Sequence, residues 1–317
     1  MDKSLPRDLK PLDLMLMREM ALDATQTTTD LAKKLGRSRS TVQWRLQELL
    51  DKKIIKIVPV HNPVAAGYKM GVLIGLKAVP NMVNSIAAEM ASVQEVHNVI
   101  ICAGRYDIIL GAVFADTDKL SGFLINELSA VTGVTSIETM VALKLVKASF
   151  TFMTPQELPS ADMPLKPGID ALDLMIIREL QSDPQQPQAD IAMKLGSGAT
   201  TVRRRLKRLL DEHIIRIVAI ADPHALGYHI RAMIGIKVCP GKIDAVADKL
   251  ASYANVHYAL MTTSPYDLVA WAVFRDTDEL SGFIRHELGS IEGIVSYECM
   301  LTLKVTKDIL NSPTRNL

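Results

Sequence analysis

Residues 28–50 read TTDLAKKLGRSRSTVQWRLQELL. The stretch carries the punctuation of two short helices separated by a tight turn. Asp30, or the threonines before it, can cap the first helix, because a short side-chain oxygen accepts from the free N–H groups of a first turn. Gly36 is its natural stop, since helices commonly end on a left-handed residue. Ser38 or Ser40 can cap the second helix, whose apolar positions are Val42, Leu46, Leu49 and Leu50. Upstream, Leu12, Leu16 and Met20 recur every fourth residue and predict another helix. Downstream, Ile54-Ile55-Lys56-Ile57-Val58-Pro59-Val60 is β-branched and partly alternating, which reads as a short strand or a wing. Helix, glycine-containing turn, helix is the helix-turn-helix layout.

The same pattern returns later in the chain. Lys34-Leu35-Gly36 recurs as Lys194-Leu195-Gly196, and Leu12-Asp13-Leu14-Met15 as Leu172-Asp173-Leu174-Met175. Ala112-Val113-Phe114 recurs as Ala272-Val273-Phe274, and Ser121-Gly122-Phe123 as Ser281-Gly282-Phe283. Every pair is offset by 160 residues. The chain is therefore one unit written twice, and the unit is too long to be a solenoid repeat. Between the copies, Pro155, Pro159, Pro164 and Pro167 interrupt residues 151–168. Proline this dense continues neither a helix nor a central strand. That segment is expected to be a semi-stiff linker, reaching roughly 50 Å at about 3.1 Å per residue.

Each copy divides again. After the helices, residues 71–79 read as a strand ended by Pro80, and Val83, Ile86, Ala87 and Met90 as a helix. Residues 96–103 and 107–114 are strands joined by a turn at Gly104-Arg105. Asp116-Thr117-Asp118 caps a helix through Leu120, Phe123, Leu124 and Leu128, and a last strand spans 136–146. The order βαββαβ is the ferredoxin-like pattern. Its two helices cover one face of the sheet, so the other face needs a partner. The fold class is thus α+β, a tandem repeat of a winged helix-turn-helix and a βαββαβ module. The expected boundaries are 1–60 and 169–220 for the helix-turn-helix domains, 61–150 and 221–310 for the sheet domains, and 151–168 for the linker.

The 317 residues carry 36 Lys+Arg against 35 Asp+Glu, and 48% of them are apolar, which argues against wholesale disorder. The near-neutral total hides a division. Residues 1–60 carry net charge +4 and residues 161–220 carry +1, whereas 61–160 and 221–317 carry −2 each. Lys33, Lys34, Arg37, Arg39 and Arg45 form a run without an acid, as do Lys194, Arg203, Arg204, Arg205, Lys207 and Arg208. Such runs are either solvated helix faces or the footprint of a polyanion. There is no apolar run long enough for a membrane span and no apolar signal-peptide core at the N-terminus. Cys102, Cys239 and Cys299 suggest neither a disulfide framework nor a metal pair. A cytoplasmic protein without a cofactor is expected.

At about 100° per residue, with Val42 at 0°, Leu46 lies near ~40° and Leu49 near ~−20°, marking the core side. Gln43, Gln47 and Trp44 fall near ~100°, ~140° and ~200°, pointing outward. Their counterparts are Arg203, Lys207 and Arg204. Glutamine pairs bidentately with adenine and arginine with guanine, and cationic flanks neutralise phosphates. Double-stranded DNA is therefore the expected partner. The candidate contacts are Arg37, Ser38, Arg39, Ser40, Gln43, Trp44 and Gln47 in the first copy, and Ser197, Thr200, Arg203, Arg204, Lys207 and Arg208 in the second. Trp44 either packs on the wing or another subunit, or touches a thymine methyl or sugar.

With the order and spacing of these elements, the chain resembles the Lrp/AsnC (feast/famine) transcription regulators. The likeness rests on Asp13, Leu31-Ala32, Gly36, Val42, Arg45-Leu46, Leu49, Ile54-Ile55, Pro63, Gly67-Tyr68, Gly104-Arg105-Tyr106-Asp107, Gly133-Val134 and Leu143-Lys144. It implies DNA binding by the helix-turn-helix, association through the sheet module, and an amino-acid effector near Gly104, Arg105, Tyr106 and Asp107. Members usually carry one copy, so this chain reads as a covalent pseudo-dimer, with larger assemblies as a family tendency. The second copy has Ser264-Pro265-Tyr266-Asp267 at the turn, which loses the glycine and a backbone donor. A tight hairpin also favours a glycine there without any ligand. Sirohaem decarboxylases share the architecture and use histidine. His97 and His257 match at the same offset, and each reads either as a half-buried structural residue or as part of such a site. The Tyr-Asp turn matches the regulators rather than the Tyr-Asn usual in that enzyme group. A small-molecule sensor acting on other proteins is a third class, separable by loss of all DNA binding.

Overall fold

The computed structural model describes residues 9–61, 69–149, 169–183, 186–212 and 214–308. Pro63, Gly67, Tyr68 and the expected linker lie outside these. The described chain forms two compact units. One holds both helix-turn-helix segments and the other both βαββαβ modules.

In the first unit, α1 (Pro11–Leu22), α2 (Thr28–Leu35) and α3 (Arg39–Asp51) are followed by the strand β1 (Ile55–His61). The second copy repeats them as α6 (Ala171–Ser182), α7 (Gln188–Lys194), α8 (Ala199–Asp211) and β6 (Ile215–Ala221). Thr27, rather than Asp30, caps α2 by accepting from the Asp30 N–H, and Gly36 ends it at φ 61°. Ser38 caps α3 by accepting from the Thr41 N–H. Gly198 stands at the equivalent place before α8 and offers no side-chain cap. Leu16, Met17, Met20, Leu31, Val42 and Leu49 close the first head's core, with Ile176, Leu180, Ile191, Val202 and Leu209 in the second.

The strand read as a strand or a wing is not half of a hairpin. β1 pairs antiparallel with β6 over seven residues, from Ile55 opposite Ala221 to His61 opposite Ile215. Val58 faces Val218, its own repeat equivalent, so a pseudo-twofold axis passes between them. The heads also cross over. α1 packs on β6 and α6 on β1, the Ala24 N–H donates to the Ile217 carbonyl at 2.8 Å, and the Asp222 N–H donates to that of Ile54 at 2.9 Å. Two strands that would be unprotected edges thus satisfy each other.

In the second unit, β2 (Met70–Ala78), α4 (Val83–Ser92), β3 (Val96–Ala103), β4 (Ile108–Phe114), α5 (Thr117–Gly122) and β5 (Val134–Ala148) make the first βαββαβ module. The helix expected to reach Leu128 stops at Gly122 and continues as a π turn over Phe123–Glu127 and a 3-10 turn over Leu128–Ala130. β7 (Ile230–Val238), α9 (Ile243–Ser252), β8 (Val256–Thr262), β9 (Leu268–Phe274), α10 (Thr277–Gly282) and β10 (Ile294–Asp308) repeat the order. Each module has the ferredoxin-like strand sequence, and the two sheets join edge to edge in the closed order β10-β3-β4-β2-β5-β8-β9-β7. The joints are β5 to β8 and β10 to β3.

The barrel has three apolar layers. Ile74, Leu76, Ile86, Met90, Leu110 and Phe114 lie under the first module's helices, and Ile234, Ile236, Val246, Leu250 and Phe274 under the second's. Between the sheets, Leu73, Ile100, Tyr106, Ile109 and Met140 of one copy meet Met233, Leu260, Tyr266, Val269 and Met300 of the other. The bare face anticipated for each sheet is therefore covered by the other sheet of the same chain. Each side chain of this size stabilises by about 1.5–3 kcal/mol when removed from water. Among the described residues no helix is long and apolar enough to cross a membrane.

Candidate nucleic-acid interface

The outward faces of α3 and α8 follow from how each head spends its charges. Asp13 occupies an apolar register of α1 yet is fully buried. It accepts from its own helix start, the Lys10 N–H at 2.7 Å, and from the Arg45 guanidinium through Nε at 2.6 Å and through Nη2. Arg45 also reaches Glu48 at 2.5 Å. Its charge is consumed inside the head, and the hydrogen bond to Asp13 raises its pKa. In the second head Asp173 is buried likewise and takes two arginines, Arg205 at 3.0 Å and Arg208. Lys34 and Lys194 pin Glu19 and Glu179 at 3.2 and 3.0 Å. The acid-free basic runs are thus partly internal scaffolding.

What remains outward is smaller and better defined. Arg37, Ser38, Arg39, Ser40, Gln43, Trp44 and Gln47 are exposed, as are Thr200, Arg203, Arg204 and Lys207, while Ser197 and Arg208 are half-buried. Among the described residues Arg37, Arg39, Arg203 and Arg204 make no ion pair. Gln47 donates to Asp51 at 2.9 Å and Lys207 pairs with Asp211 at 2.6 Å, the same i, i+4 contact in both heads. The Ser38 hydroxyl is held by Thr41 and Ser40. Arg204 and Arg208 border an open hollow with Asp170 and Arg205.

Trp44 stands on the outer face of α3. It is 58% exposed, with the Lys10 ammonium 5.8 Å and the Arg45 guanidinium 5.2 Å from its ring centre. Both are cation–π distances. Since Arg45 is anchored by Asp13, the indole is held on the outer face by a residue whose own position is fixed.

The residues expected to bind an effector are engaged within the barrel. The Tyr106 ring lies on Gly75, where a Cβ would stand 2.5 Å from it, and Tyr266 lies on Gly235 in the same way. The Tyr106 hydroxyl donates to Glu138 at 2.6 Å and the Tyr266 hydroxyl to Glu298 at 2.8 Å. Burial, then the carboxylate hydrogen bond, raises both phenols. Arg105 joins the copies, binding Glu138 at 2.8 Å and Glu298 at 3.2 Å. The second copy has Pro265 there, so two carboxylates share one guanidinium. Asp107 accepts from the Ala78 N–H at 2.9 Å and from Lys77 at 3.2 Å, which ties the turn to β2. Gly104 has φ 143°, and a Cβ on it would meet Met300 Cγ at 2.9 Å and the Cys299 carbonyl at 3.1 Å. Only glycine permits that approach.

His257 is pushed down to about 3 by desolvation, aided by Arg231 and Lys147. A proton carrier needs a pKa near its working pH. Among the described residues no cluster of three or more His, Cys, Asp or Glu is placed to hold a metal.

Residues 71–152 and 231–310 match the Lrp/AsnC ligand binding domain, and residues 9–56 and 169–216 a winged helix-turn-helix DNA-binding domain. The chain is 36% identical over 148 residues to the HTH-type transcriptional regulator FL11 of Pyrococcus furiosus, covering 46% of this chain and 97% of that protein. It is 29% identical over 141 residues to the HTH-type transcriptional regulator Ptr1 of Methanocaldococcus jannaschii, covering 44% and 95%. The crystal structure of the siroheme decarboxylase NirDL superposes with a TM-score of 0.62 over 94% of this chain and 92% of that one, at 15% identity. That likeness is one of fold.

Proposed function

This chain belongs to the Lrp/AsnC family of transcription regulators, and from that premise we propose that one chain is a complete two-headed DNA-binding regulator. The observation that carries the reading is the β1–β6 pairing, which brings two recognition helices with exposed outward faces into one unit of one chain. In each head the helix start enters the major groove. Arg37, Ser38, Arg39 and Ser40 flank the start of α3, with Gln43, Trp44 and Gln47 reaching base edges. Ser197, Thr200, Arg203, Arg204 and Lys207 face the duplex from the second head, with Arg203 and Arg204 on phosphates, while Arg208 turns inward onto Asp173. The barrel holds the two copies together as a covalent pseudo-dimer, and whole chains associate further.

The second part of the reading is a small effector, an amino acid, acting at Gly104, Arg105, Tyr106 and Asp107. What supports it is the Arg105 bridge. Its guanidinium is only partly buried and is shared by two carboxylates, so a ligand carboxylate competes for it by the bidentate pairing arginine favours. Selection of bound genomic fragments, with and without the twenty amino acids, tests both parts. Retention of a limited fragment set, altered by one or a few amino acids, is expected. Absence of any retained fragment at low salt contradicts the regulator reading.

A further inference from the structure

The pairing of the heads has the geometry of a dimer without its chemical symmetry. A true twofold dimer presents two identical helices, so its operator mirrors itself. Here the backbone relation is kept: β1 and β6 pair about Val58 and Val218, and the α1–β6 and α6–β1 contacts are reciprocal. The outward side chains are not kept. By the 160-residue offset Gln43 corresponds to Arg203, Trp44 to Arg204 and Gln47 to Lys207. The differences extend to the residues that support them. Lys10, which lies over the Trp44 ring, is replaced by Asp170, which pairs with Arg205 at 2.6 Å. Glu48, which binds Arg45, is replaced by Arg208, which turns onto Asp173.

The middle of the outward surface thus changes from neutral to cationic, and the helix start changes the other way, since Arg37 and Arg39 stand where the second copy has Ser197 and Ala199. Resting on the regulator reading above, we infer that the operator of this chain is not a palindrome. It has two unlike halves and is bound in one orientation, with base selectivity concentrated under α3. Gln43 and Gln47 are one helical turn apart and present forked amides suited to adenine N6 and N7. Trp44 lies to one side of them on the outer face, its indole steadied by Lys10 and Arg45, where a thymine methyl supplies apolar contact. Under α8, Arg203 and Arg204 make no ion pair among the described residues and contribute charge, which any sequence satisfies. One half-site therefore selects and the other anchors. The regulator acquires a direction on DNA, which a symmetric dimer lacks.

The test uses the full chain and duplexes with about 30 random base pairs, long enough for two half-sites a helical turn apart. The expected consensus has one conserved half with no inverted repeat of it at the second half-site. Within the selected sequence, randomising the conserved half lowers affinity at least tenfold, and randomising the other lowers it less than threefold. A second arm equalises the outward positions with Asp170→Lys, Ser197→Arg, Gly198→Ser, Ala199→Arg, Thr200→Ser, Arg203→Gln, Arg204→Trp, Lys207→Gln and Arg208→Glu. That variant should select an inverted repeat of the conserved half. A palindromic consensus for the natural chain, or an unchanged consensus for the equalised variant, overturns the inference while leaving DNA binding intact. Failure to retain any duplex at low salt overturns the regulator reading itself, and the inference with it.

Discussion

The Nζ of Lys147, near the end of β5, donates to the carbonyl oxygen of Tyr253, the residue that ends α9 in the other copy, at 2.7 Å. The contact is reciprocal. Lys307 on β10 reaches the Val93 carbonyl at the end of α4 at 2.9 Å. Each module thus places a cation on the negative end of its neighbour's helix, where the last carbonyls lack intrahelical partners. The two βαββαβ modules are therefore joined by a layer of apolar contacts, two strand joints and a pair of capping lysines.

Burial lowers the Lys147 pKa to about 8 from an ordinary value of 10.5. Between those values the unfolded chain binds the proton that the folded chain has lost, so stability rises with pH there. Below pH 8 both states are charged and the desolvation cost is fully present. Relative to Lys147→Met, the natural chain should gain about 2 kcal/mol of stability between pH 7 and pH 9.5. Denaturant unfolding of both proteins at the two pH values measures it. A difference independent of pH would show that the ammonium is not desolvated.

The Asp13–Arg45 pair predicts a non-additive mutant series. Arg45→Met leaves a buried carboxylate without its cation and should cost about 3–5 kcal/mol. Asp13→Leu combined with Arg45→Met removes both charges and should recover most of that loss. Equilibrium unfolding of the single and double variants reads the coupling directly. Equal losses in the two would mean that the buried carboxylate does not depend on its cation.

At the barrel turn, Gly104→Ala should destabilise by about 1–3 kcal/mol, because positive φ and the approach to Cys299 and Met300 both exclude a Cβ. Ser264→Gly in the other copy should be nearly neutral, since Ser264 does not have positive φ. Thermal melts compare them.

Arg105→Ala should cost only about 1 kcal/mol, as partly exposed ion pairs do. It should nonetheless abolish any rise in melting temperature caused by an amino acid, while Pro265→Ala keeps that rise. A ligand response that survives Arg105→Ala would place the effector elsewhere.

Element types and order were legible because hydrophobic period and capping residues are local signals. The helices at Leu12, Leu31 and Val42, and strand 96–103, needed nothing distant. Arg45 and Arg208 belong to basic runs yet turn inward for a physical reason. Helical angles measured from Val42 locate a helix's own core but not the neighbouring α1 or α6, whose Asp13 and Asp173 draw those arginines inward. Lys147 was hidden differently. Extra residues at Leu143 and Val146 shift the β5–β8 register twice, so simple alternation no longer tells inside from outside. The same irregularity leaves Leu143 65% and Leu303 66% exposed despite their apolar side chains. The β1–β6 pairing was not legible, because a strand's partner is not written in the strand.

On DNA, Arg203→Ala with Arg204→Ala should flatten the slope of log affinity against log salt by more than one unit, at about 0.9 per phosphate released. Gln43→Ala should leave the slope unchanged and reduce discrimination between sequences. Titrations at four salt concentrations separate the two effects, and identical slopes for both variants would remove the assignment.

If one chain contains the whole regulator, sedimentation at micromolar dilution and below, alone and on a labelled duplex, should show a folded species of one chain, near the chain mass of 34.8 kDa, that binds one duplex with both heads. If the chain loses its structure whenever it separates from a second chain, or binds DNA only as two chains, the sheets and strands pair between chains and the claim is wrong.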